Sequence, residues 1–411
     1  MRTLSLPEYQ QLLAVPLSSA EVTDLAAFAP SQLSIAPSLN SDAYDLTANS
    51  WVGTITTHDL SLVLRPKVPV SRLLFLLSYT LDPKRWRDLP FDYAQVDDLA
   101  EAIIPGFAHQ VRRAVQRGLL QGYRTHADSL STVRGRVDFD EQLRRRYGRT
   151  PPVEVIYDEF TEDIAENRLL KAAVNRLRRL RLRSAASRHT LRSLDNALDR
   201  VRLEHYDARQ IPTIRFSRLN EHYRPAVELA RLILRATSIN PAHGQSRSST
   251  FLVNMNTVFE EFITVALREA LGTDERSFPP QNQAPDLRLD DQHRVRLKPD
   301  LTWVCDGRRT FVGDVKYKNL GNTDFFHQDL YQGLAYAIAA ELPSALLIYA
   351  AGEAEDATHR IPAVDKRVHV RTLDVSVEPE AVLEQVSAIA QVVRGLATGP
   401  HPERRRNLSA T

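Results

Sequence analysis

Residues Leu297–Lys318 read LKPDLTWVCDGRRTFVGDVKYK. Two alternating runs flank Asp306-Gly307, a dipeptide that favours a tight hairpin. In the first run Val295, Leu297, Pro299, Leu301 and Trp303 share one face, and Arg296, Lys298, Asp300 and Thr302 share the other. In the second, Phe311, Gly313, Val315 and Tyr317 alternate with Thr310, Val312, Asp314, Lys316 and Lys318. Asp314 and Lys316 therefore project from one face, and the hairpin can bring Asp300 beside them. Paired carboxylate oxygens suit Mg²⁺, which keeps several waters and takes up phosphate oxygens. A lysine beside them can orient a water or neutralise charge developing on phosphate. This is the equipment of a magnesium-dependent phosphodiesterase. An ordinary amphipathic hairpin with a solvated charged face alternates in the same way, so the flanking sequence has to decide between the two.

Upstream, Asn254–Leu271 (NMNTVFEEFITVALREAL) has helical periodicity, with Phe259, Ile263 and Ala266 on one stripe and Val258, Phe262 and Val265 adjoining it. Glu260 falls at the edge of the stripe, and Glu261 at a wetter position. Downstream, Phe325–Leu342 (FFHQDLYQGLAYAIAAEL) is a second amphipathic helix closed by Pro343, with Gln328 and Gln332 four apart on one face. An apolar strand at Ala345–Ala350 and a further strand at Arg367–Val375 follow. Helix, strands, helix, strand is the order of the PD-(D/E)xK nuclease core. That likeness implies a glutamate from the first helix and a glutamine from the later one beside the lysine, roles that Glu260 and Gln332 would fill.

Beyond this core the chain resembles the McrC family, the nuclease subunits of McrBC-type modification-dependent, type IV restriction systems. The matching segments are Leu64–Val68 (LRPKV), Arg117–Tyr123 (RGLLQGY), Val133–Phe139 (VRGRVDF), Tyr157–Lys171 (YDEFTEDIAENRLLK) and Arg218–Tyr223 (RLNEHY). In the nuclease block they are Met255–Phe262 (MNTVFEEF), Pro299-Asp300, Gly313–Lys318 (GDVKYK) and Leu330–Tyr336 (LYQGLAY). Together they span roughly residues 50–375. The resemblance implies metal ligation by Asp300, Asp314 and the Val315 carbonyl, with Glu260 near the metal or its water. It implies catalysis by Lys316 and support from Gln332; Lys318 is assigned to phosphate contact. It further implies a McrB-like AAA+ hexamer as partner, using GTP or ATP, and double-stranded DNA carrying modified cytosine as substrate. Defence against foreign DNA would be the setting. Two other readings stay open: an adaptor that activates the AAA+ ring without cutting, and a stand-alone repair nuclease with the same core.

Composition fits an intracellular enzyme. The 411 residues are 43% hydrophobic and 25% charged, enough for two or three packed domains. The single cysteine, Cys305, excludes an internal disulfide and falls in a predicted strand, where burial is expected. The sequence has no apolar run long enough to span a bilayer and no signal-peptide core in MRTLSLPEYQ, so the cytoplasm is the expected compartment. Net charge is only +2, yet arginines cluster at Arg144–Arg146, Arg176–Arg183 and Arg404–Arg406. Such clusters suit either DNA backbone contact or a solvated surface. The chain lacks a phosphate loop, zinc-finger spacing or other sequence-reading module, which points to a partner that reads and delivers DNA.

The expected fold class is a mixed α+β and α/β multidomain chain. Residues 1–150 form a β-rich partner-docking region with a strand pair in Trp51–Pro66 and helices at Ser71–Tyr79 and Leu99–Leu120. Residues 151–249 form a helical connecting region, with helices at Glu162–Leu182, near His189–Val201 and at Arg224–Ala236. Residues 250–400 form the nuclease domain, and 401–411 a basic tail. The turn-rich segment Pro241–Ser249 reads as a linker.

Overall fold

The computed structural model describes residues 2–39, 42–84, 86–88, 98–147, 149–208, 210–239, 249–317, 323–350 and 356–398. Residues 241–248 of the expected linker Pro241–Ser249, the basic tail and Lys318 lie outside them, and Ser249 begins a strand. The chain forms two compact units, Met1–Leu99 with Leu252–Thr411, and Ala100–Phe251. This departs from the three consecutive parts expected at 1–150, 151–249 and 250–400. The reason is strand pairing across a long stretch of chain. Leu60–Arg65 runs parallel to Arg2–Pro7 and antiparallel to Trp51–Thr56. The strand Ser249–Asn254 lies on the other side of Trp51–Thr56. Alternation drives Leu60, Leu62 and Leu64 into a core shared with Leu6, Leu25, Leu46, Ile55 and Leu252. A second antiparallel sheet, Gln11–Val15, Tyr44–Ala48 and Leu33–Pro37, and the helix Ser19–Phe28 complete this subdomain. Ser18 and Glu21 cap that helix reciprocally.

Five strands and four helices of the same unit carry the candidate site. They are α1 (Val70–Leu81), α2 (Met255–Leu271), β1 (Leu301–Cys305), β2 (Arg308–Lys316), α3 (Thr323–Ala339), β3 (Ser344–Ala350), β4 (Ala357–Ile361), β5 (Lys366–Leu373) and α4 (Pro379–Thr398). The sheet order is β1-β2-β3-β5-β4, with β2, β3 and β5 parallel and both edge strands antiparallel. Asp306 and Gly307 both have positive φ (49° and 73°), as the two central residues of a type I′ hairpin require. β3 is buried along its whole length, as expected of a strand covered on both faces. On one face Leu347, Tyr349, Val368 and Val370 pack against Phe326, Leu330 and Leu334 of α3. β2 pairs with β3 so that Asp314 lies beside Leu347 and Lys316 beside Tyr349, which puts both charged residues on the α3 face. On the other face Tyr317, just past β2, packs its ring on Phe259 of α2. Phe75 of α1 in turn packs edge-on against Phe262. Gly313 sits where a Cβ would come within 2.9 Å of the Leu346 carbonyl oxygen, so only glycine lets β2 lie this close to β3.

Two details of the hairpin differ from expectation. Arg296–Leu297 is not part of β1; it pairs with Leu287–Arg288 in a separate ribbon. Pro299 offers no N–H to a ladder, and regular pairing resumes only at Leu301. Asp300 therefore precedes the strand instead of alternating along it. Cys305 is exposed, because it ends β1 at the turn and not inside the sheet. The periodicity also left β4 and α4 unassigned, and it overextended the helix at Leu99, which ends at Ala114.

The second unit holds a three-stranded antiparallel sheet, ordered Gly122–Leu130, Val153–Thr161, Arg136–Val137. Its helices are Leu99–Ala114, Phe139–Arg146, Ala165–Arg179, Ala185–Ala197 and Arg224–Ala236. Gly135 has φ +74°, and a Cβ there would meet the Ile156 carbonyl oxygen at 2.4 Å. The VRGRVDF motif thus contains a position that only glycine fills. Within the described arginine clusters, four side chains pair with acids. Arg144 and Arg145 bond Glu141, Arg146 bonds Glu154 at 3.2 Å, and Arg178 bonds Asp195. Arg176 donates to the Tyr206 carbonyl.

Candidate active site

Asp300 is fixed by two hydrogen bonds. The Val315 N–H donates to its Oδ2 at 2.9 Å, and the Gln281 amide donates to its Oδ1 at 2.6 Å. The loop that Pro299 pulls out of the ladder thereby turns its carboxylate onto β2. Asp314, 1% exposed, forms an ion pair with Lys316. The Lys316 ammonium donates to Gln332 Oε1 at 2.8 Å and lies 3.6 Å from Asp329. The Gln332 amide donates to the Tyr336 hydroxyl at 2.6 Å, and that hydroxyl donates to the Lys298 carbonyl at 3.1 Å. These bonds run as a chain from Lys298 through Tyr336, Gln332 and Lys316 to Asp314, and Asp300 joins β2 beside it through the Val315 N–H. Four of the five expected side chains, Asp300, Asp314, Lys316 and Gln332, thus meet through direct bonds or one shared backbone amide.

Glu260 belongs to the same electrostatic neighbourhood. Its carboxyl is pushed up to about 7, first by burial and then by the charges of Asp314 and Glu261, with Lys316 pulling the other way. Asp300 is raised well above the usual carboxylate range, again by burial first, then by Asp314 and Glu260. Burial pulls the Lys316 ammonium down, but Asp314, Asp329 and Asp300 together outweigh it, so its net shift is upward and it stays charged. The region thus crowds acidic side chains whose ionisation burial and their neighbours disfavour.

Sequence reasoning missed Gln281, Asp329, Tyr336 and Tyr349. Asp329, 2% exposed, lies one turn before Gln332 and accepts from the Tyr349 hydroxyl at 2.9 Å. Helical spacing from Gln332 could have found both Asp329 and Tyr336. Gln281 comes from a short 3₁₀ turn, Gln281–Gln283, and carries no local signal.

Among the described residues, no three acidic, cysteine or imidazole groups form a ready-made cation cage. Mg²⁺ does not require one, because it commonly binds through one or two carboxylates plus waters and substrate phosphate. Two crowded carboxylates, one of them raised by the other, are a donor set that such a cation would relieve. Asp300 and Asp314 fit the ion on those chemical grounds.

Comparison with known proteins bears on the chain as a whole. A family model described as McrBC 5-methylcytosine restriction system component matches residues 46–350, well over half of the chain. The chain is 20% identical over 290 residues to the type IV methyl-directed restriction enzyme EcoKMcrBC of Escherichia coli strain K12. That alignment takes in 66% of this chain and 81% of the relative. A chain in the refined half-complex of Thermococcus gammatolerans McrB AAA+ hexamers with bound McrC shares the fold, with a TM-score of 0.55 and 19% identity. That match covers 95% of this chain and all of the other. With most of its length matched, the chain belongs to the McrBC 5-methylcytosine restriction system component family, the McrC family that its sequence motifs resemble.

Proposed function

We propose that this protein is the DNA-cutting subunit of a modification-dependent restriction complex, hydrolysing phosphodiesters with Mg²⁺ in company with an AAA+ nucleotidase. The observation that carries the reading is the convergence of Asp300, Asp314, Lys316 and Gln332 around one buried, acid-rich point. Asp300, Asp314 and the Val315 carbonyl would hold the ion, with Glu260 close to it. Bound there, Mg²⁺ would supply charge neutralisation on the scissile phosphate and a water of lowered pKa. Gln332 holds the Lys316 ammonium at 2.8 Å, and that ammonium orients the attacking water and offsets charge growing on phosphate. Tyr336 fixes Gln332 in turn. The PD-(D/E)xK assignment of this core rests on the same residues and on the helix-and-strand order around them.

The partner reading rests on the family and on its relatives, which include an assembly of McrB AAA+ hexamers with bound McrC. The second unit adds an unusual surface, since Tyr123, Val133, Phe139, Leu143, Tyr147 and Phe160 are large apolar side chains each more than half exposed. Tyr123 and Phe160 pack their rings with centroids 5.1 Å apart, and exposed apolar patches are a mark of protein interaction sites; the sequence of residues 1–240 offers no competing catalytic motif. The decisive experiment incubates the chain with the AAA+ protein, GTP or ATP, Mg²⁺ and plasmid carrying methylated cytosine. Cleavage that requires all components, and that Asp314→Ala and Lys316→Ala abolish while nucleotide hydrolysis is still stimulated, supports the reading. Stimulation without cutting by the parent chain would instead identify an adaptor.

A further inference from the structure

Tyr9 lies far from the hairpin in sequence, in a turn after the first strand, and its backbone is strained. Its φ is +60°, a left-handed conformation that a tyrosine rarely adopts. The side chain held this way reaches the nuclease sheet. The Tyr9 hydroxyl lies 2.6 Å from the Tyr317 carbonyl, to which it donates, and 3.2 Å from Asn256 Oδ1 on α2. The neighbouring Glu8, 1% exposed, accepts from the Tyr317 hydroxyl at 2.8 Å and from the Lys67 N–H at 2.6 Å. The Lys67 ammonium sits over both rings, 4.7 Å from Tyr9 and 5.7 Å from Tyr317. Glu8 is itself anchored through its N–H to the Arg65 carbonyl at 2.8 Å. Thus the N-terminal turn and the LRPKV segment grip one residue by both its backbone and its side chain, and that residue directly follows Lys316.

Apolar packing would join the two segments at lower cost than a buried carboxylate and a left-handed tyrosine. What polar bonds add is direction. They set the height and rotation of the end of β2, from which Lys316 and Asp314 project on the opposite face. Asn256, which the same hydroxyl reaches, stands four residues before Glu260 on α2, so one contact touches both elements that supply acids. We infer that Tyr9, Glu8 and Lys67 form a clasp that positions the catalytic strand, acting on Lys316 through Tyr317. The inference rests on the phosphodiesterase reading of the site.

The test measures DNA cleavage by the full chain with its AAA+ partner, alongside melting curves with and without Mg²⁺. The variants are Tyr9→Phe, Tyr317→Phe and Asp314→Ala. Tyr9→Phe keeps the ring and backbone and removes only the hydroxyl. The clasp predicts that it melts close to the parent, binds DNA with unchanged KM and loses kcat by roughly 10- to 100-fold, the scale of a small misplacement of a catalytic group. Tyr317→Phe, which instead removes the hydroxyl that bonds Glu8, should lower kcat in the same sense, and it keeps the test decisive where Tyr9→Phe fails to fold. Parental kcat per folded molecule in both Phe variants, with Asp314→Ala dead, would overturn the clasp and leave the site standing. Normal cleavage by Asp314→Ala would remove the site reading and the clasp with it.

Discussion

Two charge clusters in this protein, one buried and one partly exposed, behave in opposite ways. In the first unit, Asp300 and Glu260 are raised because burial and neighbouring carboxylates disfavour their charge. In the second, Asp163 is lowered to about 2, chiefly by its hydrogen bond with Arg168, against a smaller cost of burial. Arg168 bonds Asp163 through Nε at 2.8 Å and Glu204 at 3.1 Å, and Arg124 adds a bond to Asp163 at 2.7 Å. That network lines a cavity of about 810 Å³ with Tyr206, Glu166 and Asn220. Its acids find cations or amide donors within the protein, so it works as a brace. The first cluster leaves acids crowded, the imbalance that the proposed Mg²⁺ would relieve. The two clusters differ in both burial and the direction of the shift, and crowded carboxyls raised without a matching cation are a site candidate.

The largest effect that would break this contrast lies in activity. Asp314→Ala or Lys316→Ala should lower DNA cleavage by at least about 10²-fold, the scale seen when one transition-state-stabilising group is lost. A plasmid-nicking time course with the AAA+ partner reads it. Next comes Gly135→Ala, which combines a left-handed backbone with a 2.4 Å approach to the Ile156 carbonyl. It should cost about 3 kcal/mol by denaturant titration, within the range of severe backbone and packing lesions. Asp163→Asn should cost about 2 kcal/mol, between the values for surface and fully buried pairs, because it strips Arg168 of its main partner.

Asp300→Asn should move the other way. It removes a disfavoured charge yet keeps an acceptor for the Val315 N–H, and so should stabilise the metal-free chain by about 1 kcal/mol, a typical gain at a site relieved of functional strain. Mg²⁺ should then no longer raise its melting temperature. A destabilised Asp300→Asn would mean that the cluster is a brace after all.

The smallest expected effects are in the pH dependence. Asp163, lowered from 3.8 to about 2, contributes stability that is present above about pH 4 and is lost as pH falls towards 2. Glu260, raised from 4.5 to about 7, contributes in the opposite sense. Its share is present below about pH 4.5 and fades as pH rises through 7 when no divalent cation is supplied. Circular dichroism melts across pH 2–8, with Asp163→Asn and Glu260→Gln as references, separate the two windows.

Much of the candidate site was legible because alternation is a local signal. Asp314, Lys316 and Gln332 sit on elements whose periods of 2 and 3.6 can be counted directly. Alternation alone puts Asp300 on a strand face beside Asp314, whereas Pro299 removes it from the strand and a loop presents it. Cys305 shows the limit of reading strands end to end, because the last residue before a tight turn need not be covered. The gathering of Met1–Leu99 with Leu252–Thr411 was illegible, because nothing near Trp51–Thr56 announces that its partner is Ser249–Asn254. Gln281 escaped for a related reason, since a single 3₁₀ turn has no period to count.

That same pairing has a consequence for biosynthesis. A ribosome releases the strand Trp51–Thr56 long before it makes Ser249–Asn254, at an elongation rate of roughly 5–20 residues per second. For on the order of ten seconds or more, the early sheet has one side unpaired, and the clasp residues Glu8 and Tyr9 have no Tyr317 to hold. The early sheet is therefore an unfinished mould during translation, and β2, with Asp314 and Lys316, is set in place only when late-made residues close onto early ones. On the proposed reading, a centre assembled in this order would stay inactive in a truncated nascent chain.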